Sequence, residues 1–294
     1  MRKLPAVFED LEQTINASHH IGFDDVRPAQ PRAMGSASLR IAADSDGTSR
    51  LQKLRHAGSS KLVFPRSHGQ AIEVIAVNTA GGITGGDTFT LDAAVGAHGM
   101  LTLTTQAAER AYRAQRGETG EVTTRLAVEN GASLNWLPQE LILFDRCALK
   151  RRLDVTLGRD ARFLMVEPIV FGRTAMGEKL SSIHFQDRIR ITREGRAVYH
   201  DGVDMIGNAA SRLANRAIAH GAGAMASLVL IRPDAAAQLK KIRNMLPPMA
   251  GASLIAEDVM VLRHLAMDGY SLRRDLMSVL NHLTDNSLPI SWRL

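Results

Sequence analysis

Five carboxylates sit where the chain breaks or turns and a side chain can be aimed. Asp87 ends the run Gly81-Gly82-Ile83-Thr84-Gly85-Gly86-Asp87, Glu140 ends Leu137-Pro138-Gln139-Glu140, and Glu167 precedes Pro168. Glu178 closes the Gly-bounded loop Gly172-Arg173-Thr174-Ala175-Met176-Gly177-Glu178, and Asp201 follows His200. Carboxylates so placed can serve in pairs as general acid and base. His200-Asp201 sets an imidazole beside a carboxylate, and those groups with water suit a weak, open site for a transition metal such as nickel. The blander reading is a salt-bridged or solvated carboxylate at each position. It makes Asp87 the cap of a tight hairpin, puts Glu140 and Glu167 at strand ends, sets His200-Asp201 in a surface turn, and lets Arg173 order its loop by pairing with a carboxylate.

Other chemistries lack their residues. The ten His are scattered with no His-x-x-x-His, and the one Cys, Cys147, offers neither a disulfide nor a Cys-x-x-Cys pair, which argues against a closed zinc site. There is no Gly-x-Ser-x-Gly elbow. The glycine run is not a nucleotide loop, because it lacks the Gly-Lys-Ser/Thr ending and is followed by a strand pattern instead of a helix.

Most of these residues belong to a β pattern. Alternating or Thr/Val-rich runs at 38–41, 71–77, 88–91, 100–104, 122–128, 133–137, 152–157, 163–166 and 183–192 read as strands separated by Gly-Ala turns. So many short strands imply a sandwich, barrel or solenoid. Pro233-Asp234 opens a helix that Pro247-Pro248 ends, and Leu272, Leu276, Val279, Leu280 and Leu283 mark a second helix over 271–283. The segment 259–266 reads as a strand, and the Ala-rich stretch 208–219 fits either type. Residues 1–36, with three Pro and the pair His19-His20, read as a flexible arm, leaving 37–294 as one β-rich domain with a small two-helix C-terminal part.

Of the 294 residues, 45% are hydrophobic and 22% charged, a globular balance with only 8 Phe, 3 Tyr and 2 Trp for stacking on sugars or bases. The net charge is +6 and 29 of the 36 cations are Arg, but the clusters at Arg110/Arg113/Arg116, Arg146/Lys150/Arg151/Arg152 and Arg188/Arg190/Arg193/Arg196 are interleaved with acids. They read as solvated faces or partner surfaces rather than a nucleic-acid stripe. With no secretory signal and no apolar run near the roughly 20 residues needed to span a bilayer, the expectation is a soluble cytoplasmic protein without membrane or nucleic-acid partners.

Five segments in order carry a resemblance: 78–87, Thr104-Thr-Gln-Ala-Ala108 with Tyr112-Arg113, Trp136-Leu-Pro-Gln-Glu140, Phe171-Gly-Arg-Thr-Ala-Met-Gly-Glu178, and Pro289-Ile-Ser-Trp292. Together they resemble the urease accessory protein family UreD, also called UreH, over roughly residues 36–294. The resemblance implies a β-helix-like stack of strands. It also implies a non-enzymatic chaperone that binds the urease apoprotein and recruits a UreF-like protein and, through it, a UreG-like GTPase, so that nickel enters urease. A water-filled tunnel has been proposed in the family as the route. No tightly bound cofactor is implied; transient Ni²⁺ would meet Asp87, Glu140, Glu167, Glu178 and Asp201. The chain departs from the pattern in its N-terminal arm, in Leu141 after Glu140, and at Ile290, where the family commonly has Arg. Two other classes compete: a β-helical carbohydrate-active enzyme with a carboxylate pair, and a basic nucleic-acid-binding β protein.

Overall fold

The structure is a computed structural model that describes residues 30–66 and 70–293. His19, His20 and most of the arm lie outside the described residues. In chain order the strands are β1 (Met34–Ala43), β2 (Ser49–Gly58), β3 (Ser60–Val63), β4 (Ile72–Asn78), β5 (Thr88–Val95), β6 (Met100–Thr105), β7 (Glu109–Ala111), β8 (Gly120–Val128) and β9 (Ser133–Leu137). They continue with β10 (Leu141–Leu143), β11 (Ala148–Leu157), β12 (Arg162–Phe171), β13 (Ile183–Arg193), β14 (Arg196–Gly207), β15 (Ala224–Ile231), β16 (Ala250–Ala256) and β17 (Val259–Ala266). Helix α1 (Ala209–Ala214) follows β14, α2 (Ala235–Met245) follows β15, and α3 (Gly269–Leu283) follows β17. The first strand thus starts inside the stretch assigned to the arm, and the Ala-rich stretch supplies a third helix.

The middle of the chain alternates between two sheets, which makes it a solenoid. One sheet runs β14-β13-β11-β8-β5-β1-β2 and the other β16-β17-β15-β12-β9-β6-β4-β3. Within the first sheet β1, β5, β8, β11 and β13 are parallel neighbours, and within the second so are β4, β6, β9 and β12. A third, short face forms where the coils turn: Ile83 bridges Ala111, β7 pairs with β10, and β10 pairs with the end of β12. Antiparallel strands finish each stack, with β2 and β14 on the first sheet and β3 and the β15-β17-β16 meander on the second.

The glycine run is therefore not a hairpin. It carries the chain from β4 in one sheet to β5 in the other, so its ends do not pair with each other. Gly82 has φ +154°, and a Cβ there would lie 2.2 Å from the Tyr112 ring, so the crossing needs glycine at that point. Asp87 does cap the turn, accepting from Thr84 N at 2.8 Å, and it also accepts from Ala33 N at 2.8 Å, which ties the crossing to the start of β1.

Alternation explains the core. Inward residues of β5, β8, β11 and β13 are buried while their neighbours face water. β12 and β15 are buried on both faces, because their outer faces, including Leu164, Val166, Leu228 and Leu230, lie under α2 and α3. Asp268 caps α3 by accepting from Ser271 N at 2.7 Å. Trp292 in the terminal 3-10 turn is fully buried in this layer and donates from Nε1 to Leu137 O at 2.9 Å. Among the described residues no helix is long and apolar enough to cross a membrane. Replacing Trp292→Ala removes the largest side chain under the helices and should cost about 3–5 kcal/mol. A urea unfolding midpoint indistinguishable from wild type would contradict this packing.

Candidate functional site

The interior between the sheets is not uniformly apolar. One apolar cluster holds Val95, Leu126, Leu153, Phe163 and Ile189, and another holds Phe89, Leu149, Ile169 and Phe185. Between them, one inward position on each of several adjacent strands is polar: Thr124 on β8, Arg151 on β11, Glu167 on β12, Asp187 on β13, Asp201 on β14, Ser227 on β15 and Arg263 on β17. Register lines them up: Arg151 lies opposite Asp187, Glu167 opposite Ser227, and Ser227 opposite Arg263.

Two ion-pair groups join the sheets across this layer. Arg151 donates to Asp187 in bidentate fashion, Nε to Oδ1 at 3.0 Å and Nη2 to Oδ2 at 2.6 Å, while its Nη1 lies 2.6 Å from Oε2 of Glu167. Glu167 Oε1 accepts from Trp136 Nε1 at 2.6 Å. The side chains of Glu167 and Asp187 are 5% exposed and that of Arg151 15%, so little water screens the group. Two carboxylates share one guanidinium. With both ionised the cluster holds one uncompensated negative charge, and burial pushes the Glu167 carboxyl above its ordinary range despite the pull of Arg151. The same neighbours act on Arg151: burial works to lower its pKa, and Asp187 and Glu167 outweigh that and raise it.

In the second group, Asp201 Oδ2 accepts from Arg263 Nη2 at 2.6 Å, Tyr199 OH at 2.9 Å and Ser227 Oγ at 3.2 Å. Burial, followed by the adjacent Asp201 charge, pushes the Tyr199 hydroxyl up, so it remains a donor.

A cavity of about 280 Å³ reaches this layer from outside. Its lining runs from Lys61, Asn78 and Gln106 through Glu109 inward to Thr124, Arg151 and Glu167. Burial pushes the Glu109 carboxyl up, opposed by a hydrogen bond from Asn78 Nδ2 at 3.1 Å. Asp201 lies at the other end of the layer, where it borders a groove on the flank of β13 and β14 with Arg190 and His200.

The five carboxylates singled out by sequence thus divide. Glu167 and Asp201 lie in the polar layer, though not for the reasons that drew attention to them. Glu167 is mid-strand on β12 rather than at a strand end, and His200-Asp201 lies within β14 rather than in a turn. Asp87, Glu140 and Glu178 lie outside the layer and hold loops together. Glu140 meets Arg273 Nη1 at 3.0 Å under α3, and Glu178 takes Arg173 in bidentate fashion, as expected of that arginine. That pairing holds Glu178 below the usual carboxylate range. Ile290 is exposed beside the buried Trp292. Among the described residues no three His, Cys, Asp or Glu gather as a metal cage, and Cys147 is buried with its thiol pushed up to about 12, by burial first and then by Asp145. Sequence reading gave no site role to Arg151, Asp187, Arg263 or Glu109, and it took Arg151 for part of a solvated face or partner surface, whereas its side chain is held between the sheets. The first of these carried a usable signal, since Arg151 occupies the apolar phase of Leu149-Lys150-Arg151-Arg152-Leu153.

The order of the five segments is matched by a whole-chain comparison. Residues 33–292 match the family model described as UreD urease accessory protein. The chain belongs to the UreD family. It is 49% identical over 266 residues to the urease accessory protein UreD of Roseobacter denitrificans, covering 90% of this chain and 96% of that one. It is 50% identical over 246 residues to the UreD of Ruegeria pomeroyi, covering 84% and 96%, and 38% identical over 269 residues to that of Rhizobium etli, covering 91% and 97%. UreD membership makes this a urease accessory protein with a role in urease maturation. The competing classes gain nothing from the site, where each carboxylate on the cavity is already engaged by a neighbour.

The charge imbalance in this UreD layer has a measurable sign. A carboxyl whose folded pKa is raised binds its proton more tightly when folded. Its favourable contribution is present below the unfolded value of about 4.3 and is lost as pH rises through the folded value. Glu167→Gln keeps the acceptor for Trp136 and removes the charge, so the variant should gain stability over wild type as pH rises from that value towards neutrality. Parallel stability curves in urea titrations across that window would show that Glu167 stays ionised throughout. Arg151→Met leaves two buried carboxylates facing each other and should cost about 3–5 kcal/mol at neutral pH.

Proposed function

We propose that this UreD protein is a non-catalytic scaffold that helps pass nickel to the urease apoprotein. In this reading it acts in the cytoplasm with a UreF-like protein and, through it, a UreG-like GTPase. The observation that supports this is the polar layer between the apolar clusters, which the cavity lined by Glu109 reaches at Glu167 and whose far end, at Asp201, borders a separate surface groove. A transition ion crossing a protein needs polar ligands that exchange, and a site that binds too tightly stops transit. A layer of single carboxylates, each satisfied by an arginine or an amide, meets that requirement better than a cage.

The cluster at Arg151 suggests how cargo is accepted. Glu167 and Asp187 share one guanidinium, so with both ionised the cluster holds one surplus negative charge, which burial disfavours on Glu167. An entering divalent cation would offset that charge, and Arg151 would hold Asp187 while Glu167 turns to the cation. Glu109, Glu167 and Asp201 are the transit residues of this reading. Asp87, Glu140 and Glu178 serve by ordering loops. The lack of a nucleotide-binding loop fits a division of labour in which a partner hydrolyses GTP.

The deciding experiment is performed in a urease-producing cell. Deleting this chain should leave urease poor in nickel and nearly inactive, and restoring it should recover both. Complementation with Glu167→Gln should give folded protein and several-fold less nickel per urease active site, as measured by elemental analysis of purified urease. Normal nickel loading in the deletion strain would sink the reading. Normal loading with Glu167→Gln alone would move the route away from the layer.

A further inference from the structure

The third face, where the coils turn, presents an unpartnered surface that none of the interior chemistry uses. Arg110, Ile142 and Val170 stand side by side in register on its outward side. Gly269 lies against Val170, where a Cβ would be 3.0 Å from Cγ2, and brings Tyr270 of α3 next to it. Gly223 sits between Thr174 and the backbone of Met267, which joins the 3-10 turn of Met176 to the same strip. Met176, Met267 and Tyr270 are 76%, 65% and 77% exposed. A Met and Tyr centre with Arg beside it is the composition enriched in protein–protein interfaces.

On the loop side of the strip Arg110, Arg113, Arg146 and Arg173 face outward, while Glu109, Asp145 and Glu178 turn back into the loops; Asp268, between Met267 and Tyr270, is taken up in capping α3 by accepting from Ser271 N. Glu109 accepts from Asn78, Asp145 accepts from Ser181 Oγ and Ser182 N, and Glu178 accepts from Arg173 and from Asp145 N. Arg146 is 57% exposed beside Asp145 at 23%, and Arg173 47% beside Glu178 at 13%. The loops are contiguous, since Arg113 bridges Cys147 and the Arg173 guanidinium lies 4.2 Å over the Phe144 ring. Arg110 also lines the mouth of the cavity.

We propose that this face docks a protein partner whose surface has an apolar centre rimmed by carboxylates, and that the partner sits beside the cavity mouth. A second copy of this chain would set arginine against arginine, so the rim selects an acidic partner. The proposal rests on the accessory reading for its choice of probes, the purified urease apoprotein and the UreF-like protein of the same cell.

Binding of each probe to the full chain is measured against Met267→Ser/Tyr270→Ser, against Arg113→Glu/Arg146→Glu, and against Arg188→Glu on the outer face of β13 as a charge control. Urea midpoints verify that each variant is folded. Both strip variants should bind one of the two probes at least about tenfold more weakly. The arginine variant should lose most of the salt dependence, and the control should match wild type. If wild type binds and the strip variants bind equally well, this surface assignment is overturned and the accessory reading stands. If wild type binds neither probe, both fall. Self-association of the wild type that the strip variants abolish would overturn the acidic partner in favour of a dimer.

Discussion

A guanidinium between two sheets has to be answered from both of them. Arg151 comes from β11, Asp187 from the strand beside it, and Glu167 from the opposite sheet. β11, β12 and β13 are consecutive in sequence, so each crossing between sheets has to deliver its charged residue to the same level. A slip of one residue in any of them would turn the charge to the outside and an apolar neighbour's place would be lost with it. The ion pair therefore fixes the register of the coils, and the apolar clusters on either side pack around that register. Asp201 and Arg263 repeat the arrangement one step further across, again with one partner from each sheet.

This arrangement also accounts for where the loops lie. Once the coils are in register, their turns stack as well, and segments far apart in sequence meet on the third face. Thr84 Oγ1 donates to Arg113 O, Ala114 N to Arg146 O, Gly172 N to Leu143 O, and Ala210 N to Leu180 O. The arginines that sequence reading treated as three separate clusters divide in the structure between a buried tie, short-range loop braces and an outward rim. Most of the exposed pairs are of the kind worth little individually. Arg151 differs because its partners are dry.

Much of the strand pattern was legible because alternation survives in each of the central strands, and the helix of Leu272 and Leu276 announces itself by spacing. β14 was not legible, since its burial is half-hearted along its whole length, and β15 reads as an undivided apolar run because both of its faces are covered. The glycine run defeated sequence reading for a different reason: a turn between neighbours and a crossing between sheets call for the same residues. Within the site, Glu167 was noticed for its Pro168 neighbour when its importance comes from phase. Asp187 sits between Phe185 and Ile189 in the same phase, and a charged residue held in an apolar phase on successive strands is the signal that one sequence can carry. The resemblance to UreD rested on the loops, and those are the segments that the stacked turns bring together.

The parallel stack bears on how the chain reaches its native state. Thr88 pairs with Glu121, Glu121 with Lys150, and Lys150 with Gln186, so no central strand finds its neighbour without closing a long loop first. Topologies of this kind fold slowly and leave strand edges bare while they do. β14 and the β15-β17-β16 meander close the far edges only when the last coil is in place, and α3, which covers the outer face of β12 and β15, follows all of these strands in the chain. Until Trp292 packs beneath the helices, the outer face of β12 and β15 stays open to any other apolar surface it meets.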